Sequence, residues 1–375
     1  MSAIRLAIVR QKYNPHGGAE RFVSRALDAL AQQRALEVTL LARAWRQGAQ
    51  GWRCETVDPP YLGRLARDAG FAYAARRRFA GFDLVQSHER IPGAAIFRAG
   101  DGVHATWLAQ WAKSGGLAGR LRPRLSPYHR YLCRAEAEMF AHPALRTVIC
   151  NSAMVRDDIA TRFGVPQHKL ALIYNGIDTS VFHPDLAAQR TGWRSDHAIP
   201  QQAPLLAYVG SGFARKGVAV ALAAIAAHPG VYLALAGADK HALRYRREAE
   251  RLGVAERVRF LGALADVKPL YGAADALILP TLYDPFPNVC IEALACGLPL
   301  FTSPQCGAAE WLHPGTNGWV ADALDVAGHQ ANLGAWLAHR DDWPALRAAA
   351  RATAEPYTLE RMADELAALY RQILQ

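Results

Sequence analysis

Two α/β domains, each a doubly wound parallel sheet covered by helices, are what this sequence predicts, and three observations predict them. Short β-branched or aliphatic runs alternate with longer Ala/Leu/Arg-rich stretches of helical period. The alternation occurs twice, and 375 residues at 51% hydrophobic suffice for two full cores. Between the two series, IYNGIDTSVFHP (173–184) joins an Asn-Gly turn to a His-Pro stop and reads as the boundary.

The strands of the first series fall at 4–9, 38–41, 84–86, 94–97 and 147–150. Those of the second fall at 205–209, 232–236, 258–260, 276–279 and 300–302. After the boundary, RTGWRSDHAIPQQAP (190–204) is polar and contains prolines, so it reads as a surface excursion before the second sheet. In the terminal segment 359–374, Met362, Leu366, Leu369, Tyr370 and Ile373 form an apolar stripe that must pack on something. The first domain, reached by crossing back, is the candidate. The expected division is 1–180, 181–355 and a terminal helix at 356–375. No tandem repeat is present, and the likeness of the halves is architectural.

Charge separates the halves. The net charge is +10, and residues 1–150 hold 23 Lys+Arg against 11 Asp+Glu, so the whole excess lies there. An anionic partner is expected on that side. Six cysteines without a CxxC pair or zinc-like His spacing read as reduced thiols of a cytosolic protein. Arg5 and Arg10 interrupt the apolar start MSAIRLAIVRQKY, which reads as a first strand and not as a signal peptide. No uninterrupted apolar run reaches the ~18–20 residues of a membrane span. Any membrane contact is therefore expected to be peripheral.

Three stretches carry chemistry. QKYNPHGGAERF (11–22) runs from a strand through Gly17 and Gly18 into a helical pattern. By itself it reads as an ordinary βα turn in preference to an anion cradle. YVGSGFARKGV (208–218) repeats the construction, but it lacks the Gly-Lys-Ser/Thr of a P-loop, and Arg215 stands at the third glycine position of a dinucleotide fingerprint. Arg215 and Lys216 instead sit at a helix start, where they oppose the helix dipole unless an anion neutralises them. A solvated basic turn is the alternative. In YDPFPNVCIEALACGLP (283–299), Pro287 opens a helix that Gly297 and Pro299 close, and Phe286 cannot cap it with its side chain. Asp284 lies in the loop and Glu292 inside the helix, two carboxylates at one strand end, which suits a polyhydroxylated ligand. Taken singly, each acid reads by default as a capping or solvated residue; their place beside an uncapped helix start favours the ligand.

The Asp-x7-Glu spacing, with Phe-Pro-Asn inside and Ala-x-x-Gly-x-Pro behind, resembles the retaining GT-B glycosyltransferases of family 4. GGAERF, FDLVQSHE, VICNSAMVRDDI, IYNGIDTSVFHP, GSGFARKGV and LGALADVKPLYGAADALILPTLYDPFPNVCIEALACGLPL extend the resemblance over nearly the whole chain, and their order and spacing together are specific. GSGFARKGV and FRAGDGVH (97–104) are most similar to the branch that adds the first glucose to heptose of the lipopolysaccharide core. The resemblance implies two Rossmann-like domains facing a central cleft, acceptor side at 1–180 and nucleotide-sugar donor side at 181–355, with a C-terminal crossover helix. It implies transfer of a hexose, glucose by preference, from a UDP-sugar co-substrate to a heptose acceptor with retention.

By the same resemblance, Arg215 and Lys216 hold the donor diphosphate, which Gly17 and Gly18 approach. Glu292 takes the ribose hydroxyls. Asp284 and the backbone of Phe286, Pro287, Asn288 and Val289 hold the sugar and distal phosphate, and Gly262, Ala263 and Leu264 line the base. Asp101 aligns with an acid near the acceptor, although it reads equally as a turn aspartate, with His88 and His104 in reserve. One departure stands out: the first acid is usually Glu, and Asp284 is one methylene shorter. No Asp-x-Asp triad is present, and the cation pair can replace the metal that such a triad holds. No cofactor and no metal are expected.

WLAQWAKSGGLAGRLRPRLSPYHRYLCR (107–134) interleaves aromatics with Lys113, Arg120, Arg122, Arg124, Arg130 and Arg134, and Arg76-Arg77-Arg78 adds charge. That mixture suits an anionic lipid surface, which the resemblance, through its lipid acceptor, implies is the cytoplasmic face of the inner membrane; nucleic acid and plain solvation are the rivals. A different donor or glycan acceptor within the family, a nucleotide-sugar epimerase of the same fold, and a non-enzymatic scaffold are the alternative functions.

Overall fold

The computed structural model describes residues 4–11, 36–45, 52–115 and 125–374. These divide into two compact units, one of residues 1–176 with 359–375, the other of residues 177–358. The chain thus leaves the first unit after Gly176 and returns to it at Leu359.

In the first unit, the strands β1 (Ile4–Val9), β2 (Leu36–Ala42), β3 (Trp52–Thr56), β4 (Leu84–Ser87), β5 (Ile96–Arg98), β6 (Thr147–Cys150) and β7 (Leu170–Leu172) form a parallel sheet in the order β3-β2-β1-β4-β5-β6-β7. In the second, β8 (Leu205–Val209), β9 (Tyr232–Ala236), β10 (Val258–Gly262), β11 (Ala276–Leu279), β12 (Leu300–Thr302) and β13 (Gly318–Val320) follow the order β10-β9-β8-β11-β12-β13, again parallel. The central strands are largely buried, as in a sheet covered on both faces; all five residues of β8, Leu-Leu-Ala-Tyr-Val, are buried. Strand order reverses beside β1 and beside β8, so each unit has a switch point where loops diverge and a ligand can enter at the strands' C-terminal ends.

Three edge strands depart from the expected set. β3, β7 and β13 were not among the expected strands, and each lies at the margin of its sheet. Half-covered edges need no continuous apolar run: β3 reads Trp-Arg-Cys-Glu-Thr with only Trp52 buried, and all of β7 is half-buried. The strand expected at 94–97 is shifted to Ile96–Arg98, which places Arg98 in the sheet, buried.

The surface excursion expected at 190–204 is exposed over much of its length but is anchored by a buried cation. Its first part is the helix Arg190–Asp196, and Arg194 is fully buried against Asp275, with Nη2 to Oδ2 at 2.9 Å. Arg190 adds a second contact at 2.7 Å, and Arg194 also donates to the carbonyls of Pro200, Gln201, Ala203 and Ala273. Asp275 in turn accepts from the amide of Leu205, tying this cluster to the start of β8. A guanidinium can be buried when every donor finds an acceptor. Its polar sequence hid the burial.

The helix Leu359–Leu374 buries Met362, Ala363, Leu366, Ala367 and Tyr370, one stripe at helical spacing. That stripe joins the core of Leu6, Ile8, Leu40, Leu84, Ile96 and Ile149 in the first unit. Tyr370 donates its hydroxyl to Oε1 of Gln86 at 2.6 Å, so this returning helix touches the strand that leads to His88.

Candidate functional site

In the second unit, the loop after β8 carries Arg215 and Lys216, and the loop after β11 carries Asp284. Gly217 follows the cations in the left-handed region (φ 77°), and a side chain there would run into the carbonyl of Pro280. The turn can therefore lie flat on the end of β11. The amide of Leu282 donates to the carbonyl of Arg215 at 2.8 Å and locks the two loops together. Lys216 is buried because its aliphatic stem lies over Gly210, where an added Cβ would sit 2.6 Å from Cδ.

The three charges form one cluster. Oδ2 of Asp284 lies 3.0 Å from Nη1 of Arg215 and 3.2 Å from Nζ of Lys216. Arg215 also donates to the carbonyl of Tyr283 at 2.9 Å. Burial works to raise the Asp284 carboxyl, but Lys216 and Arg215 more than offset it and hold it below the usual carboxylate range. The Asp284 backbone is fixed as well: its amide donates to Gln305 at 3.0 Å, and its carbonyl accepts from Gly307 at 2.9 Å.

Glu292 is buried in the helix Asn288–Ala295 and accepts from the hydroxyl of Tyr271 at 3.0 Å. Burial and then the nearby carboxylate push the Tyr271 phenol far up, so it remains a donor. Pro287 is the N-cap position of that helix and Gly217 that of the helix Val218–Ala226, and neither supplies a side-chain cap. Phe286 is buried edge-on to Trp311 at 4.6 Å between ring centres. Gly262 to Leu264 stand at the end of β10, with Gly262 and Ala263 exposed, and the Gly262 carbonyl accepts from Gly237 at 2.7 Å. Cations, acids and two helix starts thus gather at the carboxyl ends of β8 and β11. Such an arrangement can hold an anion beside hydroxyl groups.

In the first unit, Asp101 follows β5 on a turn with its side chain half exposed, and Nη1 of Arg10 reaches its Oδ2 at 2.9 Å. Arg10 also faces Glu89 at 3.7 Å. His88 is buried after β4, with its Nε2 3.0 Å from Nε2 of Gln86, so the ring nitrogen accepts and Nδ1 carries the proton. Burial, then Arg98 and Arg10, push His88 well below its usual range, and it is neutral. His104 lies apart from this group, its Nε2 3.1 Å from Nδ1 of His129 and its ring stacked on Trp107. Gly17 and Gly18 lie outside the described residues, as do Arg120, Arg122 and Arg124.

Sequence reasoning missed Tyr271, whose spacing of 21 from Glu292 gives no signal, and it missed Glu136. This fully buried acid, two turns into the helix Pro127–Ala141, accepts from the amide of His104 at 2.9 Å and from Arg90 at 2.8 Å. It caps the helix His104–Ser114 from a different helix, a cap that no local motif announces.

The paired doubly wound units are those of the GT-B fold. Residues 16–181 match the family model described as Glycosyltransferase Family 4, and residues 189–353 the model described as Glycosyl transferases group 1. The chain belongs to this family of glycosyltransferases. The lipopolysaccharide glucosyltransferase WaaG of Escherichia coli (strain K12) is 26% identical over 84% of this chain and 84% of its own. A glycogen synthase of Mycobacterium tuberculosis is 31% identical over 68% of this chain and 58% of its own. The crystal structure of WaaG superposes with a TM-score of 0.82 at 23% identity, covering 97% of this chain and 99% of that one.

His104 gives the first unit an acid sensitivity. Burial, then Arg90 and His129, lower it from 6.5 to about 3. The unfolded chain takes up this proton below about pH 6.5 and the folded chain does not, so stability falls as pH drops from there towards 3. In thermal melts between about pH 7 and 4.5, His104→Gln flattens the decline in Tm; parallel curves for wild type and variant would count against this origin.

Proposed function

We propose that the protein transfers a hexose, glucose by preference, from a UDP-sugar to a heptose of a lipopolysaccharide core, with retention and without a metal. The observation that carries this reading is the Arg215, Lys216 and Asp284 cluster at the switch point of the second unit, beside Glu292. The likeness to a lipopolysaccharide glucosyltransferase over most of both chains supports the choice of donor and acceptor.

In this reading Arg215 and Lys216 hold the diphosphate together with the start of the helix Val218–Ala226. Glu292, its other oxygen held by Tyr271, takes the ribose hydroxyls. Gly262, Ala263 and Leu264 line the base, while Asp284 and the backbone of Phe286, Pro287, Asn288 and Val289 meet the sugar and distal phosphate. Glycosyl transfer passes through an oxocarbenium-like state as the diphosphate gains charge. The two cations oppose that charge where it develops, each contributing about 2–4 kcal/mol to lowering the barrier. In this reading Asp101, kept ionised by Arg10, orders hydroxyls of the acceptor.

The same reading puts the first unit on the anionic cytoplasmic face of the inner membrane. No helix among the described residues is long and apolar enough to cross a membrane. Arg64 lies over the ring of Tyr128 at 4.5 Å, which brings together the starts of the helices Gly63–Arg76 and Pro127–Ala141. Leu62 and Leu125, just before those helices, are 92% and 74% exposed, bare aliphatic groups amid arginines, as an interfacial anchor requires.

Product analysis with UDP-glucose and heptosylated core acceptor tests the activity. Glucose should be transferred in EDTA at the rate seen without it; a rate abolished by EDTA and restored by a divalent ion would refute the metal-free reading. In that assay Lys216→Ala lowers kcat by about 10²–10³, and an unchanged kcat would remove Lys216 from the leaving-group role. Co-sedimentation should be stronger with anionic than with neutral vesicles and fall when Leu62 and Leu125 are changed to Ser; equal binding to both vesicles would argue against the membrane anchor.

A further inference from the structure

Asp284 poses a question of charge that the donor site, as read above, leaves open. Its carboxylate occupies the two cations that a diphosphate needs, at 3.0 Å from Arg215 and 3.2 Å from Lys216. Its backbone is held by the loop after β12, where Gln305 accepts from its amide and Gly307 donates to its carbonyl. The cations are equally constrained, Arg215 by the Tyr283 carbonyl and Lys216 by the groove over Gly210. An incoming anion therefore shares Arg215 and Lys216 with a fixed negative charge, and the three groups sum to a single positive charge.

We propose that Asp284 sets the preference of this site for intact nucleotide-sugar over spent nucleoside diphosphate. The inference rests on the donor reading and extends it. In a nucleotide-sugar the distal phosphate, esterified to the sugar and joined to the proximal phosphate by an anhydride, carries one negative charge. On transfer, the bond from the anomeric carbon to the phosphate oxygen breaks with its electron pair on that oxygen, the acceptor oxygen bonds to the anomeric carbon, and the acceptor's proton passes to the departing phosphate and on to water. The distal phosphate is then the free end of the anhydride, with close to two charges at neutral pH. The charge gained lies beside Asp284, and like charges at that range cost several-fold to many-fold in affinity. The sugar, whose hydroxyls can donate to the same carboxylate, has departed with the acceptor. Asp284 thus weakens product more than donor and hastens release of the nucleotide.

Titration calorimetry with UDP and with UDP-glucose tests this on the full chain. Asp284→Asn should tighten UDP by about tenfold or more and change UDP-glucose by less than about threefold. Asp284→Ser serves the same purpose should the Asn variant fail to show a native circular dichroism spectrum. Asp284→Glu, which restores the charge, should bring the ratio of the two affinities back to within about threefold of wild type; a residue that only shaped the loop would not be rescued by charge. Folded neutral variants with an unaltered ratio overturn the proposal while leaving the donor site intact. A wild-type protein that binds neither UDP nor UDP-glucose defeats the donor reading, and the role of Asp284 falls with it.

Discussion

Two adjacent cations at the end of a buried parallel strand are tolerable only if negative charge meets them, and the second unit is arranged around that requirement. Asp284 answers Arg215 and Lys216 from the neighbouring strand's loop. For that meeting, the cation loop must lie on the end of β11, which a side chain at Gly217 would forbid. Lys216 must also cross its own loop, which a side chain at Gly210 would obstruct. The glycines, the Leu282 amide bond and the ion cluster are one mechanical unit. A diphosphate would exchange into an interaction that already exists.

The first unit handles charge in the same way at the same end of its sheet. Arg10 is met by Asp101 and Glu89, and Arg90 by Glu136. Such pairs add little net stability, because desolvation absorbs most of the attraction. Their effect is positional: Glu136 fixes the start of the helix His104–Ser114, and Gln86, held by Tyr370, fixes the tautomer of His88. The returning helix therefore closes a hydrophobic core and also reaches a polar group near the strand ends.

Much of this could be read from the chain. The alternation of strand and helix patterns, the central strands, the stripe of the last helix and the family motifs are all local in sequence. Asp284, Glu292, Arg215 and Lys216 were found by their places in such motifs. The edge strands escaped because partial exposure removes the apolar run that marks a strand. Arg194 and Asp275 escaped because polar residues in a proline-containing stretch look solvated until their partners, 81 positions apart, are brought together.

By itself, then, the sequence determined the two parallel α/β units, the family, and the residues that bear charge, since these follow from periodicity, turn chemistry and motif spacing. Only the tertiary structure decided how those charges are paired. Asp284 and Glu292 read as two carboxylates at one strand end, yet Asp284 faces Arg215 and Lys216, while Glu292 faces Tyr271. Pairing of this kind depends on which strands are neighbours and on how far each loop extends beyond its sheet. The loops of β8 and β11 meet because these strands are adjacent, 69 residues separating Arg215 from Asp284 along the chain.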